Sequence, residues 1–459
     1  MTGHLSKDNR GIRKVSVAIL SWNGRQHLET CLAALAAQHD PGVDWDILVL
    51  DNGSTDGTAA WMRERYGRDR RVRLVESPVN LGFCAGNNRL VAATDAGTDA
   101  VALLNNDTRP EPQWLGALVE ALASAPRDVA AVSGKIVDWA GGRLDFGRGL
   151  MTFDGHAFQL DFRRPLASAR VPAAGEELPF ACGGNLLVRR ASFLAAGGFD
   201  ESYFAYLEDV DLGWRLWSGG ERIVFAPGAV VHHRSSATSD LLGLYNRGFL
   251  FERNAFLTAY KNYEPGLWER IMPAVMLTLA SRTQAFLASN PGSEILRIDP
   301  YAGHIANTGG RDLVPPPGPA LPPGTTWEGL KVRWQGYGPR EFLYRGLRKL
   351  RGLPPPATSA PSPSADGAEA PRLTDERTIA QFRALHWLLA HLDGAAATRA
   401  AVQSRRKRPD REIFERFPLH LVPTYPGDEA LFASPGFQAW LPADLPVVRT
   451  SLEEIMETG

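Results

Sequence analysis

The first third of the chain alternates short apolar segments rich in β-branched residues with segments of helical periodicity. The predicted strands are residues 15–20, 46–50, 72–75 and 100–104, and the predicted helices are residues 26–38, 58–66, 87–94 and 112–123. Strands that alternate with helices form a parallel sheet covered by helices on both faces. We therefore predict an α/β fold with a mainly parallel, Rossmann-like sheet.

Polar residues follow three of these strands. The segment SWNG follows the first strand, DNGSTDG follows the second, and NND follows the fourth. Because ligands of such sheets bind at the carboxyl ends of the strands, we expect the three segments to lie close together. Two of them carry a carboxylate at the strand end, Asp51 and Asp107.

Each of these carboxylates has two interpretations. Asp51 can accept hydrogen bonds from a pyrimidine N3–H or a ribose hydroxyl, but NGSTDG is also typical of a turn and a helix N-cap. Asp107 can bind a divalent cation that bridges two phosphates, because Mg²⁺ and Mn²⁺ prefer oxygen ligands. Its alternative role is a capped turn before the helix predicted at residues 112–123.

Three acids in four positions open the helix predicted at residues 206–217: Glu208, Asp209 and Asp211. The helix dipole favours acids in a first turn, which explains one or two of them better than three. A carboxylate buried among the aromatic residues of this segment would have a raised pKa and could act as a general base.

Two further segments carry weaker signals. His232 and His233 follow an apolar segment, where a neutral imidazole can bind a metal ion, although a lone histidine is usually structural. The segment NLGFCAGNN offers backbone N–H groups and amides to a sugar or diphosphate, and it is equally typical of a glycine turn before a helix.

In this order, the segments resemble the family-two inverting glycosyltransferases with the GT-A fold, and within them the rhamnosyltransferase-like subgroup. The matching segments are VAILSWNG, LVLDNGSTDG, NLGFCAGNN, LLNNDT, CGGNLLVRR, GGFDESYFAYLEDVDLGWRL and VVHHRSSAT. They span residues 15–238, and the ordered series is far more specific than any one member.

The resemblance implies roles for individual residues. Asp209 is the implied catalytic base, with Glu208 beside it, and Asp51 holds the nucleobase. Asp107 is the last acid of the metal-binding DxD motif, whose first acid is replaced here by an asparagine, and His233 is the second metal ligand, with His232 as the alternative. The other residues implied to line the nucleotide-sugar and acceptor sites are Ser21, Asn23, Asn80, Gly82, Asn87, Asn106, Gly183, Gly184 and Asn185.

The implied reaction is a metal-assisted single displacement with Mn²⁺ or Mg²⁺. It moves a sugar from a nucleoside-diphosphate donor, dTDP-rhamnose or a UDP-sugar, to a hydroxyl of a glycan, lipid-linked or small-molecule acceptor. The alternative is a non-catalytic nucleotide-sugar-binding scaffold. A Rossmann dehydrogenase would need GxGxxG after the first strand, and a processive polysaccharide synthase would need spanning helices and QxxRW; the sequence has neither pattern.

Composition restricts the partners. The 50 Lys and Arg residues nearly balance the 51 Asp and Glu residues, so the chain has no overall positive charge that would attract nucleic acid. Three cysteines without CxxC spacing argue against a disulfide framework. The N-terminus lacks the apolar core of a signal peptide, so we expect a cytoplasmic protein.

The basic residues 405–408 are expected to be a solvated helix end or a contact with the inner membrane face. Residues 271–288 are expected to be a packed helix or a membrane or subunit contact.

We predict four regions along the chain. A GT-A domain spans residues 14–240 and includes hairpins or a flexible insertion at 144–174; a helical extension spans 241–290. An irregular proline-rich region and linker spans 291–373. A small helical module spans 374–459, with two helices within 375–417, and we expect it to mediate acceptor docking or self-association.

Overall fold

The computed structural model describes residues 11–234, 244–287, 384–425 and 427–456. The proline-rich residues 314–324 and 353–371, the start of the predicted C-terminal module, and the SSAT end of the last matching segment lie outside the described residues. The division at residues 240, 290 and 373 stays a prediction.

The strands and helices follow one another as in the predicted alternation. The strands are β1 (Lys14–Ser21), β2 (Asp44–Asn52), β3 (Val72–Ser77), β4 (Ala100–Asn105), β5 (Thr108–Pro110), β6 (Val129–Asp138), β7 (Leu144–Phe146), β8 (Gly149–Thr152), β9 (Ala157–Gln159), β10 (Asn185–Arg189), β11 (Arg222–His233), β12 (Leu419–Leu421) and β13 (Val447–Arg449). The α-helices are α1 (Arg25–Ala36), α2 (Thr58–Tyr66), α3 (Gly82–Ala92), α4 (Trp114–Ser124), α5 (Arg190–Ala196), α6 (Glu208–Ser218), α7 (Leu244–Asn262), α8 (Pro265–Leu287), α9 (Leu392–Ser404), α10 (Asp410–Arg416), α11 (Asp428–Ala433), α12 (Pro435–Gln438) and α13 (Leu452–Ile455).

The main sheet has the strand order β3-β2-β1-β4-β10-β6-β11-β5, with β7 paired to β6. Strands β3, β2, β1 and β4 are parallel, and so are β6 and β11. The predicted α/β fold with a mainly parallel sheet is therefore confirmed. Strand β10 runs antiparallel to both β4 and β6, which we did not predict, because a short apolar segment carries no signal for its direction.

The helices pack by apolar stripes. In α1 the buried residues are Leu28, Cys31, Leu32 and Leu35, the spacing of one helix face. Helix α3 begins at Gly82, five residues before the predicted start, because the glycine-rich segment is helical rather than a loop. Gly86 allows its close packing, since a Cβ there would lie 2.5 Å from Leu20.

A second sheet, β13-β12-β8-β9, joins the C-terminal residues to the segment predicted as hairpins. Strands β8 and β9 form an antiparallel hairpin, and β12 pairs in parallel with β8. Nearby, the ring of Phe153 contacts those of Phe432 and Phe437 at centroid distances of 5.8 and 5.6 Å. Trp214 of α6 donates a hydrogen bond to Asp410, 3.2 Å away. The residues after 384 thus share one core with the main sheet.

Helix α8 includes most of the apolar segment 271–288, for which we predicted either a packed helix or a contact with a membrane or another subunit. Ile271, Ala274 and Val275 are buried, whereas Met272 and Met276 remain more than a third exposed. The helix is therefore packed along one side. Within the described ranges, no helix has the length and apolarity needed to cross a membrane.

The basic residues 405–408 are engaged by the protein itself. Arg406 contacts Asp410 at 2.9 Å, and Arg408 donates to the carbonyl groups of Trp217 and Glu221. Arg405 donates to the carbonyl of Ala196. Most of this segment is thus docked against α6 rather than simply solvated.

Candidate active site

A cleft of about 630 Å³ opens where β1 and β4 end and α6 begins. It brings together nine of the residues proposed from the sequence: Asn80, Gly82, Asn106, Asp107, Gly183, Gly184, Glu208, Asp209 and His233. These residues extend from Asn80 to His233, so the sheet topology, not proximity in sequence, creates the cleft.

The turn before α6 holds its backbone in an unusual conformation. Phe204, Tyr206 and Leu207 have positive φ angles of 63°, 72° and 61°. Residues with side chains rarely adopt this region, and each costs roughly 1–3 kcal/mol. The helix consequently begins at Glu208, two residues after the predicted start.

Helix α7 stabilises this turn. The side-chain amide of Asn254 donates to the carbonyl oxygens of Tyr203, Ala205 and Tyr206 at 3.1, 2.8 and 2.8 Å. Arg253 donates to the carbonyl of Tyr203 as well. We did not predict a role for either residue, because a polar side chain inside a long helical pattern gives no signal of its distant partner.

Asp209 faces the cleft with its carboxylate held by the backbone. Its two oxygens accept hydrogen bonds from the N–H groups of Gly183, at 3.1 Å, and Val210, at 2.9 Å. Burial raises the pKa of Asp209 despite these bonds. A half-buried carboxylate of raised pKa is suited to accept a proton.

Glu208 is only 7% exposed. Burial, and then the charge of Asp209, raise the pKa of Glu208 well above its usual range. Its Oε2 atom has no hydrogen-bond partner among the described residues. A buried, unpartnered carboxyl oxygen on a cleft wall can hydrogen-bond a ligand.

Asp211, the third acid of the segment, points into the core. It forms ion pairs with Arg215 at 2.8 Å and Lys261 at 3.0 Å, and it accepts a hydrogen bond from Asn262. Asp209 and Asp211 are two positions apart, which is about 200° around α6, so their side chains reach opposite surroundings. Asp211 therefore anchors α6 rather than contributing to the cleft.

Asp107 and His233 meet at the other side of the cleft. The Nε2 atom of His233 lies 3.4 Å from an Asp107 oxygen, and its Nδ1 atom lies 2.6 Å from Asp145. Burial opposes the charge of His233, but the hydrogen bonds to both carboxylates raise its pKa to about 10. His232 instead contacts Glu111 at 3.3 Å, since successive residues of a strand face opposite sides.

This arrangement fits a divalent cation that also binds phosphate and displaces a proton from the imidazole of His233. Within the described part of the chain, no group of three or more His, Cys, Asp and Glu side chains could hold a metal ion. Mg²⁺ and Mn²⁺ often take only one or two protein ligands and fill the remainder with phosphate and water. Asp145, which we did not predict, would fix the ring of His233, as carboxylates commonly do beside metal-binding histidines.

Ser21, Asn23 and Asp51 lie beside the cleft rather than in its lining. Asp51 is 5% exposed and accepts a hydrogen bond from the N–H of Ser54, and burial raises its pKa. Asn23 accepts from the N–H of Thr55, and Ser21 accepts from Asn106. Together these bonds fix the loops at the ends of β1 and β2.

Two predicted residues are not brought to the cleft. The amide of Asn87 donates to the carbonyl of Phe83 in its own helix. Asn185 is fully buried, accepts from the indole of Trp114 at 2.7 Å, and donates to the carbonyl of Ala229. Both side chains form these hydrogen bonds with other residues of the protein.

The glycines at the cleft permit close contacts. Gly82 has a φ of +80°, and a Cβ there would lie 2.4 Å from the ring of Phe204. A Cβ on Gly184 would lie 2.7 Å from the side chain of Asn105. Because Gly82 has no side chain, the turn before α6 can lie against the start of α3. Because Gly184 has none, it can lie against the end of β4.

Comparison with known proteins identifies the family. Residues 16–195 match the model described as Glycosyl transferase family 2. The N-acetylglucosaminyl-diphospho-decaprenol L-rhamnosyltransferase of Mycobacterium tuberculosis is 36% identical over an alignment of 241 residues, which covers 48% of this chain and 76% of that protein. The chain belongs to glycosyl transferase family 2. This confirms the predicted family and a glycosyltransferase activity.

Other similarities of the glycosyltransferase are more distant. The O-antigen biosynthesis protein RfbC of Myxococcus xanthus is 31% identical over 240 residues, covering 50% of this chain and 18% of that protein. A solved structure of a mannosyltransferase from Pyrobaculum calidifontis, in complex with GDP-Man and Mn²⁺, is 16% identical with a TM-score of 0.41. The match covers 68% of this chain and 88% of that one.

Proposed function

We propose that this glycosyltransferase moves rhamnose from dTDP-rhamnose, or another sugar from a UDP-sugar, to a hydroxyl of a lipid-linked acceptor with inversion. The observation that carries the proposal is the half-buried carboxylate of Asp209, which shares one cleft with Asp107 and His233. The Mycobacterium tuberculosis relative, named for rhamnosyl transfer to a diphospho-decaprenol-linked sugar, supports the choice of donor and acceptor.

In the proposed reaction, Asp209 takes the proton of the acceptor hydroxyl while the hydroxyl oxygen attacks the anomeric carbon of the donor sugar. A bond forms between that oxygen and the carbon, and the bond from the carbon to the diphosphate breaks. Single displacement inverts the anomeric carbon. Glu208, whose pKa is raised by burial and by the charge of Asp209, lies beside it with an unpartnered carboxyl oxygen that can hydrogen-bond a sugar hydroxyl.

Asp107 and His233 are the residues that would hold a divalent cation, Mn²⁺ or Mg²⁺, with Asp145 fixing the imidazole. The cation supplies positive charge against the charge that develops on the leaving diphosphate. Asp51 and the loops that it shares with Asn23 and Ser21 lie at the strand ends where a nucleoside is expected.

The test is the variant Asp209→Asn. We expect transfer to N-acetylglucosaminyl-diphospho-farnesol to fall at least about 100-fold, because an amide cannot accept the proton. Binding of dTDP-rhamnose, measured as a thermal shift with Mn²⁺, should persist. Thermal shifts measured with UDP- and GDP-sugars in the same assay show which donor binds.

The matched control is Asp444→Asn, an identical change at a half-exposed residue paired with Arg270. It should leave transfer unchanged. Equally slow release of nucleoside diphosphate by the wild type and Asp209→Asn, with no glycan product, would instead support the non-catalytic scaffold.

A further inference from the structure

Part of the cleft is lined by apolar side chains. We call this surface the apolar wall: Phe146, Phe158, Phe162, Phe251, Ile455 and Met456, all of which line the same cavity as Asp209. Phe158, Phe162, Phe251 and Met456 are half-buried, so their side chains remain available to a ligand. A sugar or diphosphate pressed against such a surface would lose hydrogen bonds to water without replacement.

The apolar wall is supported by contacts behind it. The rings of Phe158 and Phe251 lie 6.4 Å apart in an edge arrangement. Ile455 is 2% exposed and packs in a small cluster with Leu150 and Val422. The N–H of Phe162 donates to the carbonyl of Ile455 at 2.9 Å. Segments distant in the chain are therefore joined into one surface.

The apolar wall lies away from Asp51, the residue at which we propose that the nucleobase binds. Asp51 lies on β2, whereas the wall begins on β7, which pairs with β6. From β2 to β6 the order is β2-β1-β4-β10-β6, a distance of roughly 19 Å at about 4.8 Å per strand. Asp209 bonds to Gly183, just before β10, and so lies between them. An acceptor at Asp209 would therefore lie nearer to the wall than a nucleoside at Asp51.

We propose that the apolar wall binds the hydrocarbon chain of a lipid-linked acceptor, next to the sugar whose hydroxyl faces Asp209. This inference rests on the proposed function and adds the site at which the lipid is recognised. A free glycan would leave the wall in contact with water, whereas an isoprenoid chain removes that apolar area from water, which is favourable in proportion to the area.

The experiment measures binding of isopentenyl, geranyl and farnesyl diphosphate to the full chain by calorimetry. The three probes share a diphosphate and differ mainly in chain length. We expect farnesyl diphosphate to bind at least about tenfold more tightly than isopentenyl diphosphate. Phe158→Ala and Met456→Ala should each weaken farnesyl binding by about tenfold, because each removes a contact with the chain.

Trp440→Ala is the control, since it removes a half-exposed aromatic side chain outside the cleft lining. Each variant must keep the thermal shift with dTDP-rhamnose, which shows that it is folded. Equal affinities for the three diphosphates, or unchanged farnesyl binding in both cleft variants, would overturn the inference while leaving the Asp209 test intact. Chain-length dependence without any sugar transfer would retain the site and refute the proposed function.

Discussion

Asn254 helps to fix the geometry of the proposed base. Its amide bonds to three carbonyl groups of a turn whose φ angles are otherwise unfavourable. The turn aims Glu208 and Asp209 into the cleft by starting α6 where it does. Backbone strain of this kind persists only where surrounding contacts maintain it.

We therefore expect Asn254→Ala to lower kcat by tenfold or more with little change in donor affinity. It should also lower the free energy of unfolding by about 2 kcal/mol, at about 1 kcal/mol for each of the two amide hydrogens that the three carbonyl groups share. Steady-state kinetics and denaturant titration measure the two effects.

Tyr263→Phe is the comparison for Asn254→Ala, because it removes one buried hydrogen bond, to the carbonyl of Phe153, away from the turn. It should reduce stability modestly and leave kcat near the wild-type value. An Asn254→Ala enzyme with unchanged kcat would show that the turn is fixed by other contacts.

His233 and His232 are adjacent but should respond differently to replacement. His233 faces Asp107, whereas His232 faces Glu111. We expect His233→Ala to raise at least tenfold the Mn²⁺ concentration needed for half-maximal transfer, because a metal ligand is lost. His232→Ala is the control and should leave that concentration unchanged. A shift for His232→Ala alone would refute the proposed ligand.

At the scale of elements, a buried ionic cluster joins α7, α8 and α11 to the turn between β8 and β9. His156 contacts Asp154 at 3.1 Å and Glu252 at 3.4 Å. Arg282 contacts Asp154 at 3.3 Å and Asp428 at 2.8 Å. Buried charges of opposite sign are costly to separate, so the four elements are expected to remain docked together.

The pH dependence of stability tests this cluster. Burial opposes the charge of His156, but Asp154 and Glu252 outweigh it and raise the pKa to about 9, above the ordinary 6.5. The stabilisation is therefore complete below pH 6.5 and is lost as the pH rises through 9, by at most about 3 kcal/mol. Urea unfolding between pH 6 and pH 9.5 should show this loss.

His156→Gln should be less stable than the wild type at pH 6 and should lose less stability between pH 6.5 and 9. His420→Gln provides the comparison, since burial lowers the pKa of His420 and its titration falls below this range. If the free energy of unfolding changed with pH equally in the wild type and in His156→Gln, this would contradict a charged His156.

At the scale of the whole molecule, the residues after 384 complete the core. Phe414 packs on Trp214 at 5.3 Å, Phe432 packs on Phe153, and β12 extends the sheet that contains the β8–β9 hairpin. The same residues carry Ile455 and Met456 to the cleft. Core and cleft therefore both depend on this part of the chain.

Truncation after Pro354 should consequently abolish cooperative folding rather than acceptor docking alone. Several large buried side chains would be lost at about 3–5 kcal/mol each, against a total stability of about 5–15 kcal/mol. Circular dichroism during heating and gel filtration measure the outcome. A truncated chain that melts cooperatively at the wild-type temperature would show that the residues after 384 are an independent module.

The sequence alone determined the strand–helix alternation, the strand-end carboxylates and the family, because periodicity and short motifs depend on neighbouring residues. Residue spacing did not distinguish Asp209, which lines the cleft, from Asp211, which is paired in the core, and only the family resemblance singled out Asp209. Nor did the sequence predict the contacts of Asp145 and Asn254, or the apolar wall. Those depend on which distant segments pack together, and that is decided by the shape and burial of the whole chain.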